Sequence, residues 1–368
     1  MKMKSPLIAY WVLASQAFVW MPAAAQNALT VPVEIVRVTN PDLRTESRGN
    51  VTLYRFHPQY TLQSVQDSSR TELSLGALIE RSSNTDLSAS RSLPSVGLLW
   101  EHSSPVDVVV LRASLEEAST RETEFAEFGR VTQDSTQRTA LVRGTWTRNL
   151  TAGSALELGA SHARLSYDRP LLVDYRETLT SARYRIESST TSRYSLSASA
   201  SRLNPDGGGE GASRRELGVG YEVDIREGLS LNATAGVARS TVPRKKTVPV
   251  GGLRLTYRGE LIGYQVGWSR EVSAGASLGG YMRSQGFEAS LTYPFTTNTS
   301  LNLGFNRAQS LEADRDVGST VYARLRSELT RFWTFTMGVE QRRAKPFGRP
   351  TARGNSVAVG FVYAHPNF

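Results

Sequence analysis

The chain has four imidazoles, His57, His102, His162 and His365, and no cysteine. An acyl-transfer or phosphoester site would need one of them within hydrogen-bond reach of a nucleophile or a carboxylate. None sits in a motif that arranges this: the one GxSxG, GASLG at 275–279, falls in the connection SAGASLGG (273–280) and not at a strand-to-helix elbow, and the sequence has no HExxH and no CxxC. The adjacent carboxylates Glu116 and Glu117 project to opposite faces of an extended segment, which suits no glycosidase pair. Asp-rich calcium spacing is absent as well. The expectation is a chain with no catalytic residues, no metal site and no cofactor.

Charge is the chemistry that remains. The net charge is +9, and of 43 basic residues only Lys2, Lys4, Lys245, Lys246 and Lys345 are lysines. The rest are arginines spread along the chain, with no basic arm or RNA-binding motif, so nucleic acid is not an expected partner. Many fall at alternate positions of extended segments. Arg143, Arg183, Arg185, Arg254, Arg324 and Arg326 share such faces with Glu216, Glu222, Asp224, Glu328 and Glu340. On a wetted wall guanidinium groups attract anions and stack on sugar or aromatic faces. They can equally pair with the acids across strands and merely fill space.

The elements that would carry these residues are strands. In ELGVGYEVDIREGLSLNATAGVARS, residues 216–240, Leu217, Val219, Tyr221, Val223 and Ile225 alternate with polar or small positions. A break at Arg226-Glu227-Gly228 follows, and Leu229, Leu231, Ala233, Ala235 and Val237 resume the pattern. Period-two alternation of this kind gives one apolar and one polar face. It recurs to the C-terminus in segments of roughly 9–11 residues, the length a tilted strand needs to cross a bilayer. Apolar sets such as Ile262/Tyr264/Val266/Trp268, Leu301/Leu303/Phe305 and Trp333/Phe335/Met337/Val339 carry almost no charge. Trp100, Trp146, Trp268 and Trp333 are read as lying near strand ends, where interfacial aromatic girdles sit. No helical periodicity is read beyond the N-terminal leader. His57-Pro58, inside strand 51–65, is read as a bulge, because proline cannot donate to a ladder.

Connections alternate between short (REG, 226–228; RGE, 258–260) and long or polar (NPDGGGEGASR, 204–214; RRAKPFGRPTARGN, 342–355). Transmembrane barrels sort their connections in this way, with the short turns in the periplasm. Seventeen strands follow residue 51, and LTVPVEIVRV (29–38) supplies an upward strand before them. The reading is an all-β fold: a closed antiparallel transmembrane β-barrel of about eighteen strands, sixteen being the alternative. The longest connection, STRETEFAEFGRVTQDST (119–136), is read as a solvated surface loop, the alternative being a constriction folded inward.

At the N-terminus MKMK precedes the apolar run LIAYWVLASQAFVWM (7–21) and the small residues Pro22-Ala23-Ala24-Ala25. This is the pattern of a cleavable signal peptide, residues 1–25, ahead of a single barrel domain, 26–368.

The alternating strands, the sorted loops and the terminal Phe368 resemble Gram-negative outer-membrane barrels as a class. The ending FVYAHPNF departs from the usual pattern at His365-Pro366. The opening strand, the polar NPDLRTESRGN, then NVTLYRFHPQYTLQ and TELSLGALIERSSNTDLS, resemble β-barrel porins linked to surface-polysaccharide export loci, including the exosortase-associated group. That resemblance implies Phe368 as a signal read by the barrel-assembly machinery. It also implies a passive outer-membrane conduit for polar or anionic solutes or for exopolysaccharide. The partners would be outer-membrane lipid, lipopolysaccharide and polysaccharide export proteins. A plugged structural or adhesive barrel that binds partners through its loops is the other reading, and monomer and trimer both stay open.

Overall fold

A computed structural model describes residues 26–129, 134–169, 172–241, 245–275, 280–312 and 315–366. The leader 1–25 and the terminal Phe368 lie outside the described residues.

The period-two pattern forms nineteen strand segments in one antiparallel sheet. Two of them, Asn50–Phe56 and Gln59–Gln66, share one position between Gln26–Thr39 and Ser69–Ser82, so the sheet has eighteen staves. The first strand pairs with the last, Ala352–Pro366, from Ala28↔Pro366 to Val38↔Ser356. That pairing closes the barrel and leaves no free edge, so every stave finds a backbone partner on both sides.

His57-Pro58 does not make a bulge. Phe56 faces Val33 and Ile79, and Gln59 faces Thr30 and Gly76, so the register on both neighbours is unshifted across the gap. The proline removes one donor from the ladder without adding a residue. His57 N–H still donates to Pro32 O at 2.9 Å, and Pro58 O accepts from Ala77 N–H at 3.2 Å.

Connections at one end are two to four residues long, and those at the other run from four to sixteen. In the quoted stretch, strand Ala212–Arg226 turns through Glu227-Gly228 into Leu229–Ser240, with Gly228 at φ +74°. Apart from the split stave, strands run 12–16 residues, longer than a bilayer alone requires.

Side chains alternate across the closed sheet. Leu217, Val219, Val237, Leu253, Val321, Met337 and Val359 stand exposed on the outer face. The rims of this face differ. Tyr184, Tyr194, Tyr221, Trp333 and Tyr363 cluster toward the short-turn rim, with the Tyr194–Tyr221 rings 4.9 Å apart and Trp333–Tyr363 5.2 Å apart. Trp100 and Trp146 lie on the same half, whereas Trp268 sits mid-strand in Gly263–Gly275, away from either end.

The interior is not uniformly wet. At the long-loop end, the inner-face residues Tyr175, Leu203, Ala212, Ala238, Val248 and Val250 form a buried apolar cluster with Val272 and Tyr281, which alternate with the outward Trp268 and Phe287 but lie on strand ends beyond Arg270, where pairing with Lys246–Arg258 stops. Tyr281 reaches across the lumen, its hydroxyl 2.6 Å from Ser201 Oγ and 2.9 Å from a Glu177 carboxylate oxygen. Strands Tyr175–Glu187 through Gly280–Pro294 therefore close onto one another at this rim.

Candidate functional site

The long connection after strand Asp107–Ser119 folds inward, not outward as the sequence suggests, and it contains a helix, Thr120–Phe128. Its nine residues span barely two and a half turns, too few for helical periodicity to register. The signals that mark it are local: Ser119 at the N-cap position, Glu122 three residues on, and Gly129 just past the end in the left-handed conformation at φ +68°.

This lumen helix starts on one wall and docks on the far one, against strands Thr299–Ser310 and Val317–Glu328. The landing is backbone on backbone. A Cβ on Gly129 would lie 2.2 Å from Gly318 N and 2.4 Å from Ala308 O, and one on Gly318 would lie 2.7 Å from Gly129 Cα. Phe128 is fully buried, and Phe125 packs with Leu43, Ala344 and Ala352 beneath the Arg342 guanidinium, 5.9 Å from its ring. Near the helix start, Arg121 donates to Pro41 O at 3.3 Å and Leu87 O at 3.2 Å.

Around the helix runs a charged network. Arg55 holds Glu80 at 2.7 Å, Glu122 of the helix at 3.4 Å and Glu34 at 3.7 Å. Arg91 reaches Glu80 at 3.4 Å and Asp134 at 2.6 Å. Burial raises the Asp134 carboxyl, but Arg91, the Ala89 N–H and Arg121 outweigh it and hold the group below its ordinary range. Glu127 behaves oppositely. It borders the cavity, yet the crowding of wall atoms, helped by Glu124, Glu271 and Glu177, pushes its carboxyl up to about 7 against the pull of Ser273.

Two cavities flank the helix. One, of about 600 Å³, lies beneath it against Arg254, Glu288, Tyr322 and Arg324. The other, of about 930 Å³, is lined from Asn40 and Pro41 at the long-loop rim to Ser300 and Arg326 near the short-turn rim. Glu122, Ala126, Arg324, Glu340 and Arg342 border both, so the two meet under the helix.

The register puts the eleven charged residues read as lining the wall, Arg143 to Glu340, on the inner set, opposite the apolar one. Arg324 approaches Glu340 at 3.6 Å, and Glu340 also binds Arg342 at 2.5 Å. Arg326 meets Glu328 at 3.7 Å, Arg254 meets Glu288 at 2.9 Å, and Glu222 meets Arg193 at 3.3 Å. The Arg324 and Arg326 side chains remain more than 60% exposed. Such wetted pairs hold geometry loosely and leave charge available to a solute. Among the described residues no ion pair engages Arg143, Arg183, Arg185, Glu216 or Asp224. Arg143 stands directly opposite Arg112, giving the facing wall an unneutralised basic stretch. Arg55, Glu80, Arg91 and the helix escaped the sequence reading, because Glu122 and Asp134, which tie them together, come from the 119–136 segment, 67 residues from Arg55 and 43 from Arg91. Among the described residues no group of three or more metal-ligating side chains converges.

A closed barrel of eighteen antiparallel staves, apolar outside and charged within, has the architecture of outer-membrane porins. No family model matches the sequence, and no curated protein does. Solved structures do match the fold. OccK3 (OpdO) of Pseudomonas aeruginosa superposes with a TM-score of 0.55 at 10% identity, covering 97% of this chain and 100% of its own. OccAB4 of Acinetobacter baumannii gives 0.54 at 8% identity over 93% and 98%. OccK7 (OpdD) of Pseudomonas aeruginosa gives 0.52 at 13% identity over 94% and 100%.

Proposed function

We propose that this barrel is an outer-membrane pore for small polar or anionic solutes, with its narrowest point where the lumen helix meets the Arg55, Arg324 and Arg342 wall. The observation that carries this reading is the cavity that follows the wall from Asn40 to Arg326, past the helix, with arginines along its length. Barrels of this size are wide enough to hold an aqueous channel. The helix and the Tyr281 cluster narrow this one to a passage on one side. Guanidinium groups at Arg324 and Arg326 favour carboxylate or phosphate-bearing solutes, and Tyr322, under the Arg324 guanidinium at 4.6 Å, adds a flat face. A growing exopolysaccharide would have to thread beside a docked helix, so a small solute fits the geometry better than a polymer.

Planar-bilayer recording tests the proposal. Discrete current steps with a reversal potential displaced toward anions are expected under a salt gradient. Absence of any open state would favour the other reading, a plugged barrel acting through its loops.

A further inference from the structure

The outer face carries a charge pattern that the pore does not use. At the long-loop rim, one position above the apolar band, Arg215 and Arg239 stand directly opposite one another on adjacent strands, Ala212–Arg226 and Leu229–Ser240. Immediately below them, on the same outer face, are Leu217 and Val237. Arg202 joins from the next strand, Ser192–Pro205: it faces Ser213, two residues from Arg215. All three side chains are exposed, and among the described residues none meets a carboxylate; Arg202 touches only Asn204 Oδ1, at 3.2 Å. A second directly opposed pair, Arg164 and Arg176, extends the patch two strands further and shares Asp206 at 3.7 and 3.2 Å.

Like charges directly opposite on a sheet repel and destabilise it. Cross-strand neighbours lie only ~5 Å apart and diagonal ones ~7–8 Å, so these guanidinium groups are crowded without a counter-charge from the chain. The opposite rim of the same strands carries Tyr184, Tyr194 and Tyr221 instead. One rim is thus built for an ordinary lipid interface, where aromatic side chains settle. The other presents clustered bidentate donors at the height of a headgroup, above an apolar wall able to lie along acyl chains.

We propose that Arg202, Arg215 and Arg239 form a binding site for the phosphate groups of a phosphorylated, multiply acylated glycolipid in the leaflet next to the long loops. This rests on the outer-membrane reading, which orients the long loops outward. The phosphate supplies the counter-charge the patch lacks, and the acyl chains cover Leu217 and Val237. Headgroup and tails come from one molecule, which selects a lipid over free phosphate.

The test compares wild type with the triple variant R202Q/R215Q/R239Q. Both are reconstituted in phosphatidylcholine vesicles doped with lipid A or with lipid A stripped of both phosphates. Lipid retained per barrel after detergent extraction is counted by mass spectrometry, and heat-modifiable migration reports folding. Wild type should retain lipid A, and loss of the phosphates or of the three arginines should each cut retention at least about tenfold. The lysine triple variant, which keeps charge and loses the bidentate fork, should fall between and serves if the glutamine variant does not fold. Equal retention of both lipids, or undiminished retention by a folded variant, overturns the proposal and leaves the pore reading standing. Failure of the wild type to enter any vesicle overturns the outer-membrane reading and this site with it.

Discussion

Gly129→Val is the substitution that most directly interrogates the lumen helix. A valine there carries two penalties. Its β-branched side chain is forced into the left-handed region, at roughly 1–2 kcal/mol. Its Cβ also falls 2.2 Å from Gly318 N and 2.4 Å from Ala308 O, both backbone atoms of the barrel wall that cannot turn aside. Overpacking of this kind costs about 1–3 kcal/mol when the surroundings can shift. Against a total of roughly 2–5 kcal/mol stand the two buried rings, Phe125 and Phe128, each worth about 1.5–3 kcal/mol. The terms are of similar size, so the variant helix should exchange between docked and released positions. A cylinder ~10 Å across, roughly 80 Å² in section, then leaves the lumen. Single-channel recording should show a second, multi-fold larger conductance level interrupting the wild-type level. Gly208→Val is the control: φ is +85° there too, but nothing lies within 4 Å of the added Cβ, and conductance should not change. Wild-type current from folded Gly129→Val would refute the docking geometry and the constriction built on it.

Glu127→Gln tests the raised carboxyl beside the cavity. As pH rises through about 7, the wild-type group acquires a negative charge, so anion preference should fall across that window and the variant should stay flat. The linkage has the same sense: a carboxyl raised in the folded state favours that state below its ordinary value of 4.5, and this contribution fades as pH climbs toward 7. Helix docking, followed by cross-linking of engineered cysteines, should therefore loosen toward alkaline pH; docking that tightens would contradict the assignment. Arg324→Gln with Arg326→Gln should move the reversal potential toward cations while leaving the folded band intact, and an unchanged potential would remove these two from the solute path. Glu80→Gln should lower barrel stability by about 3 kcal/mol, the low end for a broken buried pair, because Arg55 keeps Glu34 and Arg91 keeps Asp134. Urea midpoints of the heat-modifiable band measure it, and a shift below a few tenths of a kcal/mol would show that Glu80 is dispensable.

The sequence made the barrel legible because lipid and water impose period two on every stave, and that signal survives at each strand independently. The stave number followed from loop sorting and from LTVPVEIVRV, which pairs with both the second stave and the last. Local rules went wrong where a tertiary contact decides. His57-Pro58 breaks a strand yet keeps register, because its two neighbours hold both halves in line. The 119–136 segment looks like a solvated loop by composition. Phe125 and Phe128 are apolar anchors whose partners, Leu43, Gly318, Ala344 and Ala352, are remote in sequence. Arg55 meets Glu122 only because the helix folds back into the lumen, and no single strand encodes that contact.

In a membrane-spanning barrel lipid covers the outer apolar face while water reaches the inner one. Because the chain has no cysteine, single probes at Val219→Cys, outward, and Ser197→Cys, one strand over and inward, report the two environments cleanly. Nitroxide labels on the barrel in vesicles should relax with dissolved oxygen at position 219 and with a water-soluble nickel chelate at position 197. Equal access of the nickel chelate to both positions would mean that water bathes both faces, and the membrane-spanning barrel would be wrong.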